Sequence, residues 1–140
     1  MLNRNREVIK AMTDSGEELK QIDRAFTESQ SRAVMHSSET LREGKRSITV
    51  SLSGALDGEN SASFLSAMKQ HIDLASQEQV STLLLDLKGL SYASSAGIGI
   101  FISVLTVAKT EGIDLALSNL SEKVRGVFKL LGFESFFTIL

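Results

Sequence analysis

Apolar and polar positions along the chain follow two regimes that change near residue 46. Before it, apolar residues are widely spaced. Val8, Met12, Leu19, Ile22, Phe26 and Ala33 can share one helical seam, with Ser15 and Ser29 filling its gaps. Asp14-Ser15-Gly16 can interrupt this seam and cap a second helix near Glu17; a frayed tail is the alternative. From Ser47 the period becomes two, with Ile48, Val50 and Leu52 on one buried face of a strand. Asn60 or Ser61 then caps a helix whose stripe is Phe64, Met68, Ile72 and Ala75. The apolar run Val80 to Leu87 suits a strand covered on both faces. Residues Ser95 to Thr110 are rich in β-branched side chains, yet the run exceeds a strand's usual length and reads as a helix. Ile113, Leu115 and Leu117 form another strand, and Ser121 caps a last helix with Val124, Val127, Phe128 and Leu131 inward, ended by Gly132. Phe136, Phe137 and Ile139 are expected in the core.

This order predicts an α/β fold, a mixed sheet with helices packed against it. Residues 1–45 form an N-terminal extension, an amphipathic helix or a flexible tail, and 46–140 the domain proper. With 140 residues the chain can bury one core. Its net charge of -2, with no local cluster of Lys or Arg, argues against nucleic acid as a partner. The lack of cysteine removes disulfides, thiol catalysis and cysteine-bound metal, and fits a reducing cytoplasm. The longest apolar run, Ala96 to Ala108, is too short to insert across a membrane, and no signal peptide is apparent. His71, beside the apolar stripe of its helix, is expected at the surface or its boundary; His36 is equally isolated, and neither has metal-ligand spacing. No cofactor is implied. No histidine is placed to activate a serine, and no phosphate-binding glycine loop with a lysine is present, which argues against an enzyme.

The stretch with chemical content is Leu90 to Gly99, where a buried strand passes through a short loop into a helix. Ser94 and Ser95 lie at that helix's start, where hydroxyls accept hydrogen bonds from unpaired N–H groups and negative charge is favoured. Such serines can be plain caps or phosphate acceptors. The segment Asp86-Leu87-x-x-Leu90-x-Tyr92-x-Ser94-Ser95-Ala96-Gly97-Ile98-Gly99 resembles the signature of the STAS domain, found in bacterial anti-sigma factor antagonists. Gly54-Ala55-Leu56-Asp57-Gly58 resembles that family's Gly-Glu-Leu-Asp segment, and the turn and apolar tail after Gly132 resemble its C-terminus. The likeness covers about residues 46 to 140.

The resemblance implies a STAS-like mixed sheet of four to five strands and, in function, a phosphorylation-controlled adaptor. In its unphosphorylated form such a protein binds a GHKL-type serine kinase that doubles as an anti-sigma factor; phosphorylation parts the complex, and a PP2C-type phosphatase restores it. Matching glycines puts the family's phosphorylated serine at Ser95, with Ser94 the next candidate. Asp57, Asp86, Tyr92, Ser94, Ala96, Gly97 and Gly99 complete the implied switch loop. Ser94 stands where the family usually has aspartate, and Ala96 where it has a second hydroxyl. Gly97 and Gly99 would allow close approach of another backbone or tight packing against the domain's own sheet. The alternative is a non-switching STAS module in a transporter or sensor assembly, in which Ser95 only caps its helix. A homodimer through the extension is a further expectation.

Overall fold

The computed structural model describes residues 2–42 and 44–140. In chain order they form α1 (Leu2–Ser29), β1 (Ala33–Arg42), β2 (Lys45–Leu56), α2 (Ser61–Gln77), β3 (Thr82–Asp86), β4 (Leu90–Ala93), α3 (Ser95–Thr110), β5 (Asp114–Ser118), α4 (Glu122–Leu130), a short 3-10 turn (Glu134–Phe136) and β6 (Thr138–Ile139). The sheet runs β1-β2-β3-β5-β6. Only the β1–β2 pairing is antiparallel; the others are parallel, as expected where helices make the crossovers. β2 is long enough to pair twice on one side, with β3 through Ser47 to Ser51 and with β4 through Gly54 to Leu56. The sheet has six strands against the four to five expected; β1, β4, which the pattern assigns to the loop before the helix, and the two-residue β6 are not among the strands it predicts.

The core lies between one sheet face and the helices. Ile48, Val50, Leu52, Leu83, Leu85 and Leu117 point into it from the strands. A ladder of aromatic rings crosses the helical layer: Phe26 of α1, Phe64 of α2, Phe101 of α3, Phe128 of α4 and Phe137, with successive centroids 6.3, 5.4, 5.6 and 5.5 Å apart. These spacings lie in the attractive range for tilted and edge-on rings. The other sheet face carries small or polar side chains, among them Ser47, Thr49, Ser51 and Ser53, and is only partly covered. β3 is therefore buried on one face, with Leu84 half-exposed between Leu83 and Leu85, and not on both as its composition suggests.

Three further expectations need correction. Gly16 does not interrupt α1, so the seam is one continuous helix from which Leu19 and Phe26 reach the core, while Ala33 belongs to β1. Phe136 is 59% exposed; the 3-10 turn rotates it outward and sends Phe137 in, with Ile139 partly buried. His71 is fully buried.

β1 escaped the hydrophobic pattern because its inward positions are partly polar. Ser37 is satisfied by Asp23 of α1, and Glu39 by Arg46 at 2.8 Å. Arg46 also donates to the Glu78 carbonyl at 3.0 Å and approaches Ser15 at 3.3 Å, tying β2 to the end of α2 and the middle of α1. The inward polarity is matched by groups that only the fold brings close.

Candidate functional site

The turn from β4 into α3 is built on the end of β2. The Ser94 N–H donates to the Leu56 carbonyl at 3.0 Å, and the Ser94 backbone is extended. Its hydroxyl accepts the Gly97 N–H at 3.1 Å, so Ser94 is the helix cap. Ser95 occupies the first helical position and is exposed; among the described residues its hydroxyl makes no hydrogen bond. The two serines are thus divided: Ser94 is occupied in capping, and Ser95 is available at the positive end of a 16-residue helix.

Gly97 is required where it stands. A Cβ there would strike the Leu56 carbonyl oxygen, so the backbone of α3 rests directly on β2. Gly99 has no such constraint, since a Cβ there would meet nothing within 4 Å. Instead it lines an apolar groove of about 420 Å³ with Ile102, Thr106, Lys109, Phe133 and Phe136. Ala96 is exposed, and a Cβ on Gly58 would lie 3.9 Å from its methyl group, so the β2–α2 turn abuts the first turn of α3.

Asp57 sits in that turn, heavily engaged. One carboxylate oxygen accepts the Glu59 N–H at 2.9 Å, the other meets Arg32 Nε at 2.9 Å, and the Asp57 N–H donates to Asn60. Asn60 also reaches Gln30 at 3.2 Å and the Ala55 carbonyl at 2.9 Å. Arg32 and Gln30 belong to the link between α1 and β1, so the N-terminal segment is bolted to the turn beside Ala96. Sequence alone did not single out Arg32, because the contact spans 25 positions without a local pattern.

Tyr92 is exposed on β4 beside Ala55, with the Lys123 ammonium 5.8 Å from its ring centroid. Asp86 lies elsewhere. It pairs in register with Ser51, five residues before Leu56, which is about 16 Å along the strand. Its carboxylate accepts the Lys88 N–H at 3.1 Å and the Asn119 amide at 3.0 Å. The structure therefore brings Asp57, Ser94, Ser95, Ala96 and Gly97 together, sets Tyr92 and Gly99 beside them, and leaves Asp86 apart.

A second polar cluster was missed. Asp23 of α1, Ser37 of β1 and His71 of α2 are all buried. Asp23 accepts the Ser37 N–H at 2.7 Å and its hydroxyl at 2.8 Å, and His71 Nε2 lies 3.2 Å from Asp23. Burial works against the Asp23 carboxylate, but hydrogen bonds from His71 and Ser37 and the charge of His71 outweigh it, so the carboxyl is held below its ordinary value of 3.8. His71 Nδ1 faces the Ala67 carbonyl at 2.9 Å, which leaves both Asp23 and Ser37 on Nε2. In an acyl-transfer triad the serine and the carboxylate sit on opposite ring nitrogens. This cluster is wired differently, is closed to solvent, and reads as a fastening between three elements. His71 is inward because Asp23, 48 positions away, supplies its partner.

The STAS domain family model matches residues 40–140, and the chain belongs to that family. Its sequence is 36% identical over 62 residues to the anti-sigma-B factor antagonist of Bacillus subtilis (strain 168), a stretch covering 44% of this chain and 57% of that protein. The chain thus spans a little over half the length of this relative. The fold resembles that of the anti-sigma factor antagonist SpoIIAA in its unphosphorylated form, with a TM-score of 0.56 at 20% identity over 75% of this chain and 88% of the other. It also resembles part of SLC26A9, with a TM-score of 0.54 at 18% identity over 79% of this chain and 23% of that one. Among the described residues, no helix is long and apolar enough to cross a membrane.

Proposed function

We propose that this protein is a phosphorylation-controlled anti-sigma factor antagonist of the cytoplasm. In its unphosphorylated form it binds and sequesters a GHKL-type serine kinase that is also an anti-sigma factor, and a PP2C-type phosphatase resets it. The observation that carries this reading is the division of labour at the start of α3: Ser94 caps the helix, while Ser95 presents an exposed, unbonded hydroxyl. Beside it, the exposed Ala96 carries only a methyl group, which leaves room for a partner to approach closely. Asp57, Tyr92 and Gly99 border the same face, and Asp86, about 16 Å along the strand from the end of β2, stands outside it.

A phosphate on Ser95 adds roughly -1.5 to -2 charges and three acceptor oxygens. The positive end of α3 tolerates it, whereas a partner surface fitted to a neutral hydroxyl does not. A difference of about 3 kcal/mol between the two forms changes affinity by more than a hundredfold, which is enough to exchange partners. Serine in place of aspartate at position 94 removes a carboxylate that would repel the phosphate.

The test is mass spectrometry of the protein from its native cells beside a Ser95→Ala variant. A single phosphate that maps to Ser95 and disappears in the variant supports the switch. Phosphate on Ser94 moves the site by one residue. Absence of phosphate under all growth conditions removes this reading and favours a fixed STAS module, a use consistent with the same fold forming 23% of the SLC26A9 chain.

A further inference from the structure

Along α3, Gly99, Ile102, Thr106 and Lys109 recur at spacings of three and four, so they share one helix face, beginning one turn beyond Ser95. They line an open groove of about 420 Å³, a volume typical of small-molecule sites. The rings of Phe133 and Phe136 supply its other wall. That wall is fixed by the main chain. The Phe133 N–H donates to the Phe128 carbonyl at 2.9 Å and the Phe136 N–H to the Phe133 carbonyl at 3.1 Å, and the two rings stand 6.3 Å apart. Phe137 of the same turn is buried, whereas Phe136 stays 59% exposed, an apolar ring left in water at the groove.

The polar groups of the groove reduce to one. The Thr106 hydroxyl is occupied, donating to the Ile102 carbonyl at 3.0 Å. Glu134, between the two phenylalanines in sequence, is turned to Arg125 at 2.9 Å and puts no carboxylate on the lining. What remains is Lys109, exposed in the last turn of α3 and, among the described residues, without an ion pair. An apolar trough with a single unpaired cation at one end is complementary to a molecule with one anionic head and an apolar tail.

The trough also sets the length of that tail. From Lys109 to Gly99 the helix advances about 15 Å at ~1.5 Å per residue. An extended alkyl chain with ~1.5 Å bonds at tetrahedral angles advances roughly 1.25 Å per carbon, so about twelve carbons fill the distance. At Gly99 a Cβ would meet nothing within 4 Å, which leaves the upper end open for the last carbons. We propose that this groove binds a fatty acid of about twelve carbons, its carboxylate on Lys109 and its chain laid along α3 toward Gly99. The site lies beyond the Ser95 turn, and its occupation does not depend on phosphorylation.

The test is an NMR titration of the purified full chain with sodium dodecanoate, at concentrations where the fatty acid is monomeric. Saturable binding of one equivalent is expected, with shifts centred on Ile102, Leu105, Lys109, Phe133 and Phe136. Affinity should rise about twofold per carbon from octanoate to dodecanoate, since each methylene is only half covered, and level off for hexadecanoate, whose further carbons stay in water. Lys109→Gln should weaken dodecanoate about threefold and remove its advantage over dodecyltrimethylammonium, while Phe136→Ser should weaken both about tenfold. Both side chains are exposed, so neither substitution touches the core. Binding that does not saturate, shifts centred elsewhere, equal affinity of the wild type for dodecyltrimethylammonium, or indifference to Phe136→Ser overturns the proposal. None of these outcomes bears on whether Ser95 is phosphorylated.

Discussion

Replacing Asp23 by alanine isolates the fastening between α1, β1 and α2. The substitution removes the acceptor of the Ser37 N–H, the Ser37 hydroxyl and His71 Nε2, at 2.7, 2.8 and 3.2 Å. Hydrogen bonds to a charged group contribute about 1.5–3 kcal/mol each, and the relieved cost of burying the carboxylate offsets part of their sum. The net loss expected near neutral pH is about 3–4 kcal/mol, since the Ser37 N–H, the Ser37 hydroxyl and His71 are left buried without their acceptor. Urea unfolding followed by circular dichroism measures it as a lower midpoint with unchanged slope. Because Asp23 has its carboxyl held below 3.8 in the folded state, its contribution is fully present above 3.8 and is lost as pH falls through the lower, folded value. The gap between wild type and Asp23→Ala should therefore narrow only in acid, below pH 3.8. The double variant Asp23→Ala/His71→Ala should lose less than the sum of the single losses, by about 1.5 kcal/mol or more. A single-variant loss under about 1 kcal/mol, or a gap that stays constant through the acid range, would refute the account of Asp23 as a charged fastening.

Two pairs of substitutions probe the start of α3. Ser94→Ala should cost about 1 kcal/mol through loss of the cap, whereas Ser95→Ala should change stability by less than about 0.5 kcal/mol; thermal melts of the two variants compare them directly. Gly97→Ala forces a methyl group onto the Leu56 carbonyl and should cost about 2–3 kcal/mol, while Gly99→Ala, with open space around it, should gain up to about 1 kcal/mol, a contrast readable in midpoint shifts of opposite sign.

Several elements from Ser47 onward were legible because they are amphipathic at a single period. Ile48, Val50 and Leu52 announce a strand, and Phe64, Met68, Ile72 and Ala75 a helix, since one buried face must recur at the element's own spacing. Ser94 and Ser95 were legible as a helix start for the same local reason. Their separate roles were not. Which hydroxyl caps depends on where β4 leaves the sheet, and that is fixed by the Ser94 N–H on Leu56. Asp86 shows the limit of proximity along the chain: it precedes Ser94 by eight positions, yet the pairing of β3 with Ser51 holds it about 16 Å from the end of β2.

The sequence by itself determined the elements whose apolar residues recur at one spacing, the absence of cysteine chemistry, and the motif that places the chain among STAS domains. Tertiary structure decided the fate of the polar residues. Ser37, Glu39 and His71 look like surface positions because a sequence records no partner for them. They are inside because Asp23 and Arg46 are brought against them, and burying a polar group is tolerated only when its hydrogen bonds are met. The same physics made β1 invisible as a strand and turned α1, a weak seam on its own, into the element that closes the sheet.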